Sequence, residues 1–310
     1  MSRRFCYGLA CFFLSLLWAT VGWAAPTQKN YRDYQVDFSY MRKYGTSYDD
    51  YQMLLQESRE KITDRSYYEK RMDLLKKTLK KYPEWLDGYW LAASEAFQLG
   101  SSYNDPKSHK QALVYFEEGE RLSRTCLEKD KEQILCKMFV ASNLAGGAAI
   151  KGIIASLRHT LEIYTLWHEV AAAKLNYQIT PEVSLQGSVH YALGLFNRLV
   201  PDSRLMKWFF GAKGSLQESL AHHQKNLDID GPSPCGQLMM AVILLCAKEN
   251  GLKHEYEAKP EVLLQSAEKY AGYDMNQHIC QGFSGALQKN PELACGFTPA
   301  KQLTEKVPGI

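Results

Sequence analysis

Net charge is scarce in this sequence. Its 310 residues hold 37 Lys and Arg against 34 Asp and Glu. Two of the basic residues, Arg3 and Arg4, lie in an N-terminal segment expected to be removed, which leaves 35 against 34. No basic excess then remains to neutralise a phosphate backbone, which argues against nucleic acid as a partner. Catalytic motifs are missing as well. There is no C-x-x-C for thiol exchange, and no G-x-S-x-G, phosphate-binding loop or dinucleotide glycine motif. His168-Glu169 begins the zinc-protease pattern, but Ala172 stands where the second His must be. No stretch alternates apolar and polar residues between hairpin turns, so a β fold has no support. A composition of 45% hydrophobic and 23% charged residues excludes collagen-like and highly charged disordered classes. The sequence assigns no catalytic residue, no metal site and no cofactor.

What is present begins with an export signal. Met1-Ser2-Arg3-Arg4 leads into an uncharged run from Phe5 to Trp18, and Gly22 and Ala24 precede Ala25-Pro26. A basic start, an apolar centre and small residues at a cut site make residues 1–24 a secretory signal, with a membrane anchor as the alternative. The expected location is the periplasm, or outside the cell. Six cysteines follow the signal, and an even number in an exported chain implies disulfides. Cys126 and Cys136 flank the polar stretch Glu128–Glu132 and can meet across a helix–helix turn. Cys280 and Cys295 flank Asn290-Pro291 and are expected to pair likewise. Cys235 and Cys246 would lie about 16 Å apart along one helix, out of disulfide reach.

The mature chain reads as helix after helix. Met72, Leu75 and Leu79 share one face of a helix that Pro83 ends, with Lys76, Lys77, Lys80 and Lys81 mostly on the other. Further helices are expected over 85–99 (closed by Gly100), 111–127, from 133, 153–177, 237–251 and 260–271, for roughly ten or eleven in all. Residues 25–60 read as an irregular Tyr-rich arm, 61–290 as a helical domain and 291–310 as a tail. The fold class is all-α.

A repeat runs through the helical part. Ala92-Ala93 and Ala96 precede Ala112, Phe116 and Gly119, a small–large–small spacing of four then three. Leu193-Gly194 precedes Ser219, His223 and Asn226 at the same spacing, after an insert from Asp202 to Lys213. This resembles the tetratricopeptide-like family over roughly residues 65–275, which implies a right-handed superhelical stack of antiparallel helix pairs. The exported helical repeat with its L-G, Pro201 and insert also resembles the periplasmic T-component proteins of tripartite ATP-independent transporters. That resemblance implies oligomers and contact with a substrate-binding subunit, but carries over no binding residue.

Three functions fit these features. The first is a non-enzymatic scaffold that holds another periplasmic protein on its concave face, through Trp85, Tyr89, Trp90, Trp167, His168, His190 and Tyr191, since Trp and Tyr are enriched at interface hot spots. The second is a transport accessory with a small apolar ligand in a groove along Gly146, Gly147 and Gly152. The third is an all-α glycan-acting enzyme, which needs two acidic side chains facing one cleft. His222 and His223 are adjacent, so on a helix they point about 100° apart and do not easily share a metal.

Overall fold

The computed structural model describes residues 31–103, 105–152 and 157–298. The expected signal, with Cys6 and Cys11, lies outside them. Thirteen α-helices are described, with four strands of two or three residues. The helices are α1 (Ser39–Arg42), α2 (Ser47–Glu60), α3 (Arg65–Lys81), α4 (Leu86–Ser102), α5 (His109–Lys129), α6 (Ile134–Lys151), α7 (Thr160–Ala172), α8 (Leu185–Leu199), α9 (Arg204–Phe210), α10 (Leu216–Asp230), α11 (Pro234–Glu249), α12 (Pro260–Lys269) and α13 (Met275–Lys289).

The helical reading of the sequence holds where the apolar period is clear. In α3, Asp64 caps the first turn by accepting from the Ser66 N–H at 3.0 Å. Met72, Leu75 and Leu79 are buried and the four lysines are exposed. The helix stops two residues before Pro83. Gly100 does not stop α4, which continues to Ser102. A Cβ at Gly100 would lie 2.7 Å from the Phe116 ring, so this glycine serves the approach of α5. By length and composition α6 could cross a membrane; most of it is buried against α4, α5, α7 and α8.

Four expectations need correction. The arm is not irregular, because α1 and α2 occupy much of it. Tyr48, Tyr51 and Leu55 are spaced three and four apart in α2, a helical period that the tyrosine count obscured. The expected helix 153–177 ends at Ala172. Two small sheets follow: Arg32–Asp33 (β1) pairs parallel with Leu175–Asn176 (β2), and Gln178–Thr180 (β3) pairs antiparallel with Val183–Ser184 (β4). The described part of the tail joins the core through Ala294 and Phe297, which are buried. Its carbonyls at Ala294, Cys295 and Phe297 accept from the buried Arg198 guanidinium. Finally, Cys280 and Cys295 are both bridged, but not to each other.

The bridges are Cys126–Cys136, as the polar turn implied, then Cys235–Cys280 and Cys246–Cys295. Helix α13 carries Cys280 and runs on to Lys289, about 14 Å further along its axis. Its first turns instead lie beside the start of α11, and the tail lies beside its end. Three disulfides fit an oxidising environment.

Consecutive helices pack on one another from α2 to α8, and α8 packs on α10 across the α9 insert. Thirteen of the sixteen residues of α11 are buried, and α8, α10, α12 and α13 surround it. Helix α13 then returns to α4. The Met275 N–H donates to the Tyr68 hydroxyl and Asn276 donates to Gln98. Next to this seam the buried Arg71 guanidinium is paired with Glu95 at 2.6 Å and donates also to Ser58.

Gly146 of α6 lies against Phe116, whose ring would be 2.4 Å from an added Cβ; the nearest neighbour of Gly147 would be at 3.8 Å. Gly146→Ala is therefore expected to lower the unfolding free energy by about 1–3 kcal/mol through overpacking. Gly147→Ala is expected to leave it unchanged or raise it by about 0.5–1 kcal/mol, through lower backbone entropy in the unfolded chain. Urea unfolding of both variants checks the contrast.

Candidate functional site

The residues expected to face a partner separate into two groups. Trp85 and Trp90 are each 1% exposed, because the N-terminal arm lies across them. The Trp85 indole N–H donates to the Asp37 carbonyl at 2.7 Å. Trp90 stacks on Phe139 and meets Tyr34 and Tyr177 edge-on. Asp87 gathers this contact. Its carboxylate accepts from the Tyr34 hydroxyl, the Asp37 N–H and the Trp90 indole. Gln133 adds a donor to Tyr34. Tyr89 is buried as well, donating to the Pro83 carbonyl. The surface assigned to a partner at Trp85, Tyr89 and Trp90 is thus taken up within the chain itself.

Along the expected glycine groove the Phe116 ring lies against Gly146, and Gly152, with φ +87°, ends α6. Those glycines give close packing and a helix stop.

Of the other residues expected to face a partner, His168 and His190 meet at His222 of α10, Trp167 packs on Phe196 of α8, and Tyr191 turns instead to the buried His223. The scaffold here is the second repeat-like pair. A Cβ on Gly194 of α8 would lie 2.6 Å from the His223 ring of α10. Ser219 donates to the Gly194 carbonyl and Asn226 to the Gly187 carbonyl, at 2.7 and 3.0 Å. Small residues on α8 thus let α10 come close, and polar side chains of α10 pin it there. At the far end Asp230 accepts from the N–H and hydroxyl of Ser184, the N-cap of α8. Burial pushes the Asp230 carboxyl up to about 7, against those two hydrogen bonds.

This pairing aims His222 and His223 at different surroundings. His223 is fully buried, meets Tyr191 edge-on, and neither ring nitrogen finds a partner. Burial, then the nearby Arg198 and His222, push it down to about 3. His222 stacks on His190, their Nδ1 atoms 2.9 Å apart. One Nδ1 must carry the proton and the other accept it, so the contact cannot survive protonation of both rings. His168 lies next, its ring 6.3 Å from that of His222, with Tyr164 on its other side at 4.2 Å. Burial lowers His168, and the charge of Glu218 works against that shift. Tyr164 in turn packs on Phe196, which meets Trp167 edge-on. His168, His222 and Tyr164 are partly open to solvent, with Thr165 and Glu218 exposed beside them. The result is a half-buried aromatic and histidine cluster. Among the described residues, no group of three or more His, Cys, Asp or Glu is arranged to hold a metal ion.

His222 was missed as a site residue because its partners lie 32 and 54 positions away in the chain. Asp87 was missed because an acid next to two tryptophans has no distinctive spacing. The repeat did contain one signal. Phe116 stands where His223 stands in the second pair, so a histidine fills a position of large apolar type.

Two outcomes follow. Burial, then His168 and Lys225, hold His222 at about 4 against an ordinary 6.5. The unfolded chain therefore binds the extra proton first. His222 contributes stability above pH 6.5 that is lost as pH falls toward 4. The stability difference between the wild type and His222→Gln is expected to shrink across that window, with Asp230 titrating equally in both. Separately, His223→Phe removes two unpaired buried polar atoms and is expected to raise the unfolding free energy by about 1 kcal/mol, read in urea.

No protein-family model matches the chain, and no curated protein is significantly similar to it.

Proposed function

We propose that the chain is an exported, non-enzymatic binding protein of the tetratricopeptide type, holding another periplasmic protein at the cluster between α7, α8 and α10. The observation that carries this reading is the convergence of His168, His222 and Tyr164 on a half-open surface, over a scaffold built at the repeat spacing. The pairs α4/α5 and α8/α10 put Phe116 and His223 against Gly100 and Gly194, and Ala112, Gly119, Ser219 and Asn226 are buried with them. The run of sequentially packed helices, with α6 also touching α4 and α8 also touching α11, supports a superhelical stack. The three disulfides support export. Partner contact on this face, away from the arm that covers Trp85 and Trp90, accounts for aromatic and imidazole groups left partly in water.

The alternative of an apolar ligand along Gly146–Gly152 has less support, because Phe116 occupies the close approach. A glycan-acting enzyme would need an acid pair in an open cleft. The charge of Asp274 acts on Glu182, but Asp274 is buried as the cap of α13, accepting from the Gln277 N–H, while Glu120 with Glu162 and Glu132 with Glu169 are taken up by Arg124 and Lys137.

A photo-crosslinking residue at Thr165, beside the cluster, is expected to capture one discrete protein from the exported fraction. The same residue at Lys77, on the exposed face of α3, is not. Capture should fall about tenfold with His168→Asp. Equal capture at both positions, or none at Thr165, would overturn the proposal.

A further inference from the structure

The insert between α8 and α10 folds into α9, and this helix is apolar on its outer face. At about 100° per residue, Leu205, Trp208 and Phe209 stand at i, i+3 and i+4 on one stripe. They are 65%, 76% and 63% exposed, whereas Met206 on the inner side is 9% exposed. The other tryptophans of the described residues, Trp85, Trp90 and Trp167, are all buried. Trp208 and Phe209 touch edge-to-face at 4.4 Å, so the stripe is a joined aromatic surface. Gly211 ends the helix at φ +75°, and Leu161 of α7, itself 50% exposed, lies against it. The apolar patch therefore continues from the insert onto α7.

Charge decides what this patch fits. The segment Arg204–Lys213 holds Arg204, Lys207 and Lys213 and no acidic residue. Lys213 is paired with Asp202, while Arg204 and Lys207 are exposed and enter no ion pair among the described residues. On the helical wheel Arg204 borders the stripe on the Trp208 side, and Lys207 stands about 60° beyond it, away from Leu205 and Phe209. Trp, Phe and Leu at one level with Arg and Lys beside them is the composition of a membrane–water interface. The indole sits at headgroup depth and the long cationic chains reach phosphate oxygens. A second copy fits less well. An antiparallel isologous contact stripe to stripe would bring the cation flank of one copy against that of the other, while Asp202, the nearest acid in sequence, is already paired with Lys213.

We propose that α9 is a membrane-surface anchor that seats Leu205, Trp208 and Phe209 in the interface of an anionic lipid leaflet, with Arg204 and Lys207 on its headgroups. This goes beyond the cluster between α7, α8 and α10 and does not depend on what that cluster holds. The chain would lie on the leaflet through a helix too short to span it.

The test uses the full chain, with its disulfides formed, and vesicles of brominated phosphatidylcholine and phosphatidylglycerol in equal parts. Emission of Trp208 is the wild-type spectrum minus that of Trp208→Phe. The emission of the other tryptophans, Trp18 included, therefore subtracts out. Quenching of Trp208 is expected on the mixed vesicles. It should weaken on pure phosphatidylcholine, and also as salt screens the headgroups. Leu205→Ser with Phe209→Ser should weaken the quenching about tenfold at an unchanged thermal transition. Unquenched Trp208 on the mixed vesicles overturns the proposal. Equal quenching on both lipids overturns the role of Arg204 and Lys207. A concentration-dependent dimer that forms without lipid and is lost in the double variant would assign the stripe to a second copy instead.

Discussion

Helix α11 has almost no solvent face, and much of the second half of the molecule is arranged around that constraint. A helix apolar on all sides must be surrounded. Its neighbours α8, α10, α12 and α13 leave only Leu245, Lys248 and Glu249 outside its buried set up to the last turn. The two ends of α11 are bonded covalently, to α13 through Cys280 and to the final turn through Cys295. Arg198 of α8 ties the same turn by its carbonyls. Holding α13 here also fixes where it meets α4. The position of α11 therefore bears on how the late helices meet the early ones.

The first half depends more on polar contacts. Asp87 accepts from three groups, two of them in the arm, and Arg71 and Glu95 are buried as a pair. A lone charge in either place would be costly, and each is held by directed partners. This explains how aromatic residues typical of an interface became core. Trp85 and Trp90 do have a polar partner for each indole N–H, but it comes from within the chain.

The fold was legible in the sequence where side chains repeat at a helical period, as in α3, α5 and the second repeat-like pair. It was less legible where the determinant is remote. The strands are two or three residues long, too short to alternate. The partners of Cys280 and Cys295, Cys235 and Cys246, follow from the packing of α11, not from the Asn290-Pro291 turn. The histidine cluster was half legible: residue type pointed to His168 and His190, whereas Trp167 and Tyr191 are packed into the surrounding core. His222 was dismissed as a metal ligand beside His223 and not considered for what it could reach alone. The α9 insert was marked by its interruption of the repeat, but its outward stripe required knowing which side Met206 buries.

The order of the bridged cysteines along the chain has one more consequence. Cys235 and Cys246 come first, and their partners Cys280 and Cys295 follow, so the two loops interlock instead of nesting. A chain synthesised from its N-terminus presents Cys246 to Cys235 well before either true partner exists. Early coiling of α11 separates those two sulfurs by about 16 Å along its axis. A bond between Cys235 and Cys246 therefore requires α11 to be uncoiled, and the formed helix excludes it by geometry alone.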